Sequence, residues 1–170
     1  MTSAQQSLLQ GTALFRSFTL QEFTTLLALL APAVRRYQKG EALLLAGFEA
    51  NEIGVVLAGS TEAVKDTRAG SRFTVAHFGP GGYFCYVLSG GSNKSPVTVL
   101  AKTPCTAAFF SYPQLLSPPP GQDALFRRLT ANLVALISHR YFQLDRRVDL
   151  LLIRGLRRRV AAYLLEEAER

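Results

Sequence analysis

GPGGYFCYVLSGGSNKSPVTVLA, residues Gly79 to Ala101, is the stretch on which the reading of this chain turns. A glycine-proline turn leads into the aromatic pair Tyr83-Phe84. A Gly/Ser-rich loop carrying Lys94 follows, and then the alternating apolar run Val97 to Leu100. Short strand-like runs separated by glycines precede this segment, and a long helical pattern follows it. That order predicts a β roll with a helix appended.

Upstream, Val34 to Tyr37 and Ala42 to Leu45 flank the turn signal Lys39-Gly40-Glu41. Gly47 comes next, then Ile53 to Leu57, a turn at Gly59-Ser60, and Thr61 to Lys65. Arg72 to Phe78 alternates into Gly79-Pro80-Gly81-Gly82, and Ala107 to Tyr112 is the last candidate. Short strands at spacings of about 8–12 residues with turn signals indicate an all-β sandwich, barrel or jelly roll. Before them, Thr19-Leu20-Gln21-Glu22 reads as a capping box, with Phe18 and Phe23 placed for a hydrophobic staple. This predicts a helix from Leu20 to about Leu30, ending before Pro32. Residues 1–17 show no clear period and are expected to be a short lead-in.

Downstream, Pro118-Pro119-Pro120 ends the β region. Asp123 is favourable at a helix N-terminus, and Leu129, Leu133, Leu136, Leu144, Val148 and Leu151 recur at threes, fours and an eight. One helix to about Ile153 would be roughly 45 Å long. Part of its apolar face is expected to lie on the β domain, and the rest suits an identical helix in a parallel dimer. Those six residues are the expected dimer interface. Gly155 interrupts the pattern, and Leu156 to Glu167 predicts a second helix with Val160, Tyr163 and Leu164 on one side. The organisation read here is a β domain with N-terminal helix over 1–117, a long helix over 121–153, and a short helix over 156–170.

At 170 residues, 48% hydrophobic and 18% charged, the chain supports one buried domain with an appendage. Its longest apolar run is too short to cross a bilayer. Met1 to Ala13 lacks a basic n-region, and Cys85 and Cys105 are too few for a disulfide framework, so a cytoplasmic setting is expected. The net charge of +7 concentrates arginine in the final third, which favours anionic partners or simply solvates helix faces. His77 and His139 have no partners at metal-ligand spacing, and no nucleophile-histidine-acid constellation assembles. No enzyme is expected.

The elements in this order resemble the Crp/Fnr family of transcription regulators. Lys39-Gly40-Glu41 with Gly47 looks like the family's strand-turn opening, Gly59 like its hairpin glycine, and Gly79-Pro80-Gly81 with Phe84 like the start of its effector cassette. Arg158-Arg159-Val160-Ala161-Ala162-Tyr163-Leu164 resembles the start of its DNA-binding domain. The resemblance implies a mainly β fold with α, a cyclic-nucleotide-binding-like jelly roll followed by a dimerisation helix. It also implies a homodimer with no membrane role, binding DNA through a winged helix-turn-helix of which only the opening is seen. The chain then reads as a piece of a longer regulator. The alternative is a stand-alone ligand-binding or protein-interaction module.

By the same resemblance, the effector site takes Phe84, Cys85, Tyr86, Lys94, Ser95 and Val97 from the cassette, with Arg140, Leu144 and Asp145 from the long helix. Arg154, Arg157, Arg158 and Arg159 would meet DNA phosphates. Two departures stand out. Family members that bind cyclic nucleotides carry Gly-Glu where this chain has Cys85-Tyr86, and Arg-Ser or Arg-Ala where it has Lys94-Ser95. Tyr86 cannot supply an anionic acceptor, and Lys94 lacks the bidentate fork of arginine. An unidentified small effector, anionic in character, is expected instead of cyclic AMP. Phe84-Cys85 also resembles the haem-ligating segment of the family's carbon-monoxide sensors, but Val87 stands where their histidine would. Haem is therefore not expected, and no cofactor is assigned.

Overall fold

The computed structural model describes residues 1–67, 70–85 and 94–168, with Arg140, Arg147, Glu166 and Glu167 described by backbone alone. Two compact units emerge, residues 1–130 and 131–170.

The first unit is built on two four-stranded antiparallel sheets. Its strands are β1 (Ala33–Tyr37), β2 (Ala42–Leu44), β3 (Glu52–Ala58), β4 (Thr61–Asp66), β5 (Arg72–Phe78), β6 (Tyr83–Phe84), β7 (Thr98–Ala101) and β8 (Cys105–Ser111). One sheet has the order β1-β8-β3-β6 and the other β2-β7-β4-β5. Strands distant in sequence therefore lie side by side, as the expected jelly roll requires. Strand β6 is only two residues long, too short for its alternation to be read. The core between the sheets gathers Leu43, Val56, Phe78, Phe84, Val97, Val99 and Phe109. Each fully buried side chain of this size stabilises by roughly 1.5–3 kcal/mol, so the unit is held by its own interior.

The expected lead-in is in fact structured. Helix α1 (Ser3–Gln10) opens with a capping box in which Thr2 accepts from the Gln5 N–H and the Gln5 side chain accepts from the Thr2 N–H. A 3-10 turn at Ala13–Phe15 follows. Leu9, Leu14 and Phe15 are buried, which explains why a segment without clear period is ordered. Helix α2 (Leu20–Leu30) starts at the expected box: the Glu22 N–H donates to Thr19 Oγ1 at 3.3 Å, and Glu22 Oε2 accepts from the Thr19 N–H at 2.9 Å. Phe15 joins this cap to the sheet, with ring centroids 5.1 Å from Phe23 and 5.7 Å from Phe110. After β8, a one-turn helix α3 (Tyr112–Leu116) carries Pro113 in its first turn, where proline is tolerated.

Helix α4 (Asp123–Leu152) begins in the first unit. The Arg128 guanidinium lies 4.6 Å from the Phe18 ring centroid and donates to Glu22 Oε1. The α2 cap therefore also seats the beginning of α4. The second unit comprises the rest of α4 and helix α5 (Leu156–Ala168).

Along α4 the expected apolar stripe divides in two. Leu129, Leu133 and Leu136 are buried within the single chain, together with Phe126. Leu144, Val148 and Leu151 are exposed.

Candidate functional site

The cassette that follows β5 is fixed at its start to β3 and at its far end to the β2–β3 loop. At its start, the Gly79–Gly82 turn is closed by the Gly82 N–H donating to Gly79 O at 2.8 Å. The turn is stitched to β3 by Gly81 N–H to Val56 O and Val56 N–H to Gly82 O, both 2.8 Å. Strand β6 then pairs with β3, setting Phe84 opposite Gly54 and Tyr83 opposite Val55.

The far end of the Phe84 ring lies over Gly54 of its partner strand. A Cβ added to Gly54 would sit 2.1 Å from Phe84 Cζ, so only glycine fits beneath this ring. Phe78 and Phe109 flank it, at centroid distances of 5.9 and 6.0 Å. Phe84, expected at the effector site, is thus placed in the core at 3% exposure, and Val97 is buried in the same cluster.

At the cassette's far end, the Lys94 backbone forms an isolated antiparallel β-bridge with Glu49 in the β2–β3 loop. The Gly47 N–H donates to Ser95 O at 2.8 Å, and the Ser95 N–H donates to Phe48 O at 2.9 Å. The buried Ser95 hydroxyl donates to Val97 O at 2.7 Å and accepts from the Val97 N–H at 3.3 Å. Both polar donors of Ser95 are therefore spent within the protein. Lys94 is exposed and carries the cationic charge at this end. Cys85 is half-buried at the end of β6, and Cys105 is buried, its thiol pushed up by desolvation and then by the charge of Glu41. Tyr86 lies outside the described residues.

The structure thus joins Phe84 and Val97 in one core and sets Lys94 and Ser95 at the cassette's other anchor. Leu144 and Asp145 are exposed on α4, and Arg140 is described there by backbone alone. Among the described residues, no group of three His, Cys, Asp or Glu side chains is arranged to hold a metal ion. No helix among them is long and apolar enough to cross a membrane.

Of the arginines expected to meet phosphate, Arg154, Arg157 and Arg158 are exposed. Arg159 is not free. Its Nη2 donates to Leu151 O at 3.3 Å and Ile153 O at 3.2 Å. The Arg128–Glu22 pair and this Arg159 contact are features that the linear reading missed. A capping box is visible in four residues, but its partner lies 106 positions away.

The first unit is thus a two-sheet jelly roll. Residues 34–117 match the family described as the cyclic nucleotide-binding domain, and this part of the chain is such a domain. No curated protein matches the sequence.

Among solved structures, the chain resembles the Thermus thermophilus catabolite activator protein, with 24% identity and a TM-score of 0.64 over 82% of this chain and 63% of that one. It also resembles the sensor domain of the transcriptional regulator DNR from Pseudomonas aeruginosa, with 20% identity and a TM-score of 0.65 over 89% and 94% of the two chains. A cyclic nucleotide-binding domain from Methylobacillus flagellatus gives 18% identity and a TM-score of 0.70, over 90% and 85%. At these identities the likeness is one of fold. The resemblance read from the sequence is borne out for the domain and for its regulator neighbours.

Proposed function

We propose that the chain is the effector-sensing and dimerising part of a Crp/Fnr-like transcription regulator, with DNA read by a domain that α5 opens. The role is binding, not catalysis. The observation that carries this reading is an exposed heptad stripe following a cyclic nucleotide-binding domain. Val134, Ile137, Tyr141, Leu144, Val148 and Leu151 alternate at threes and fours along α4. All but the half-buried Ile137 are exposed in one copy, Leu144 at 61% and Leu151 at 65%. Valine at two of the a positions and leucine at two of the d positions suit a parallel two-stranded coil. A ligand that binds one packing of the two helices better than another would shift their balance and reorient whatever α5 leads into.

The effector is a small anionic molecule other than cyclic AMP. Tyr86 and Lys94 replace the acidic ribose acceptor and the bidentate arginine, and Ser95 commits its donors internally. Charge-assisted contacts are each worth about 1.5–3 kcal/mol, so losing two should weaken cyclic AMP by roughly two orders of magnitude or more. Native mass spectrometry of the purified chain, followed by titration calorimetry with cyclic AMP, tests both halves. The expected result is a dimer with no measurable cyclic AMP heat at micromolar concentrations. A monomer would overturn the dimer, and low-micromolar cyclic AMP binding would overturn the effector class.

A further inference from the structure

The junction between α4 and α5 is spanned by one side chain. A helix leaves its last four carbonyls without intrahelical donors, and α4 has no basic residue in its last turn to serve them. Beyond Leu152, Gly155 turns the chain at φ +89°, and α5 begins with the Arg159 N–H donating to Gly155 O at 3.1 Å. The Arg159 side chain then reaches back across the turn to Leu151 O and Ile153 O. It brings a cation to the negative end of the α4 dipole, a placement that stabilises a helix. Its Nε is buried without an acceptor, so Nη2 makes both of these contacts. Arg158 and Arg157, with the same charge one and two residues away, are exposed.

We propose that Arg159 is a brace that sets the angle between α4 and α5, and that it is not one of the phosphate-contacting arginines. The glycine supplies the bend, and the guanidinium selects one bend among those that glycine allows. A side chain rooted in the first turn of α5 and bonded to the end of α4 restrains rotation about the three intervening residues, 153–155. The brace concerns this junction alone and holds whether or not the regulatory reading does.

The test is a distance distribution between spin labels at Ser138→Cys and Leu165→Cys, both exposed positions. It is measured in a Cys85→Ser, Cys105→Ala background, with the labelled full chain diluted in unlabelled chain so that only intrachain pairs report. Arg159→Met is expected to broaden the distribution at least about twofold. Arg158→Met, an equal loss of charge, is expected to leave it unchanged, and circular dichroism should show equal helix content in both. An unchanged distribution in Arg159→Met overturns the brace. Equal broadening in Arg158→Met assigns the effect to charge and also overturns it. A fall in helix content confined to Arg159→Met would mean that the residue serves α5 itself, and the proposal fails.

Discussion

Residues 1–130 and 131–170 use similar apolar side chains to opposite ends. In the first unit, Phe15, Phe110, Leu26 and Val56 are all but inaccessible. In the second, Tyr141, Leu144, Leu151, Leu156 and Leu164 all exceed half exposure. Isolated exposed apolar residues are ordinary on protein surfaces, but a stripe in register along a helix is not. The first unit carries its own core, whereas the second leaves an apolar stripe of α4 exposed. Composition alone does not separate them. Periodicity and covering do.

The contrast is broken most forcefully in the core. Phe110→Ala should cost about 3–5 kcal/mol of stability, because it removes a ring at 0% exposure that packs against Phe15. Urea unfolding of the first unit would report it, and a loss under about 1 kcal/mol would mean that the unit does not depend on this interior. Leu144→Asp with Val148→Asp acts on the other side of the comparison. Unpaired charges at a closed seam cost several kcal/mol, so dimer dissociation should strengthen by about a hundredfold while the first unit's unfolding midpoint stays put. Sedimentation velocity over a concentration series measures this, and an unaltered dimer would place the interface elsewhere.

The smallest effect is electrostatic. The Glu22 carboxyl is held below its ordinary range, first by the Thr19 backbone N–H and then by Arg128. Asp66 is lowered by its hydrogen bond with Arg72. A carboxylate with a depressed folded pKa contributes stability above its unfolded value and loses it as pH falls through the folded one. The first unit's stability should therefore be level near neutrality and decline below the usual carboxylate range. Glu22→Gln should make that decline shallower by a small margin, since the group is exposed to solvent. Denaturation midpoints taken from neutral pH into the acid range decide it, and an identical slope in the variant would remove Glu22 from the account.

Much of the fold was legible because its signals are local. Thr19 and Glu22 marked the start of α2, and glycines at 40, 59, 79, 81 and 82 punctuated the strands. Helix α1 escaped because its box is Thr2 with Gln5 and its only fully covered member is Leu9. Strand β6 escaped because two residues cannot show a period, and α3 because Tyr112 continues the apolar run of β8.

The α4 stripe was legible as a pattern, but not which part of it the chain itself covers. Leu133 and Leu151 are 18 residues apart, five full turns at about 3.6 residues per turn, so they share a face. Leu133 is nonetheless buried and Leu151 exposed, so position along α4, not facing, separates them. The cassette was legible as a place but not as a set of contacts. Nothing near Phe84 in sequence announces Gly54, and nothing near Ser95 announces Phe48.

The seat of Phe84 on Gly54 has a consequence for how this sequence can drift. With an aromatic ring at 84, any side chain at 54 begins inside that ring, so a first step at 54 is closed. A smaller residue at 84 would have to arrive before alanine could be accepted at 54. The two positions are therefore bound to an order of change, and Phe84→Leu should rescue a Gly54→Ala chain that is poorly folded alone. Seen this way, the pair is a one-way gate in sequence space, standing at the threshold of the segment where effector specificity would have to evolve.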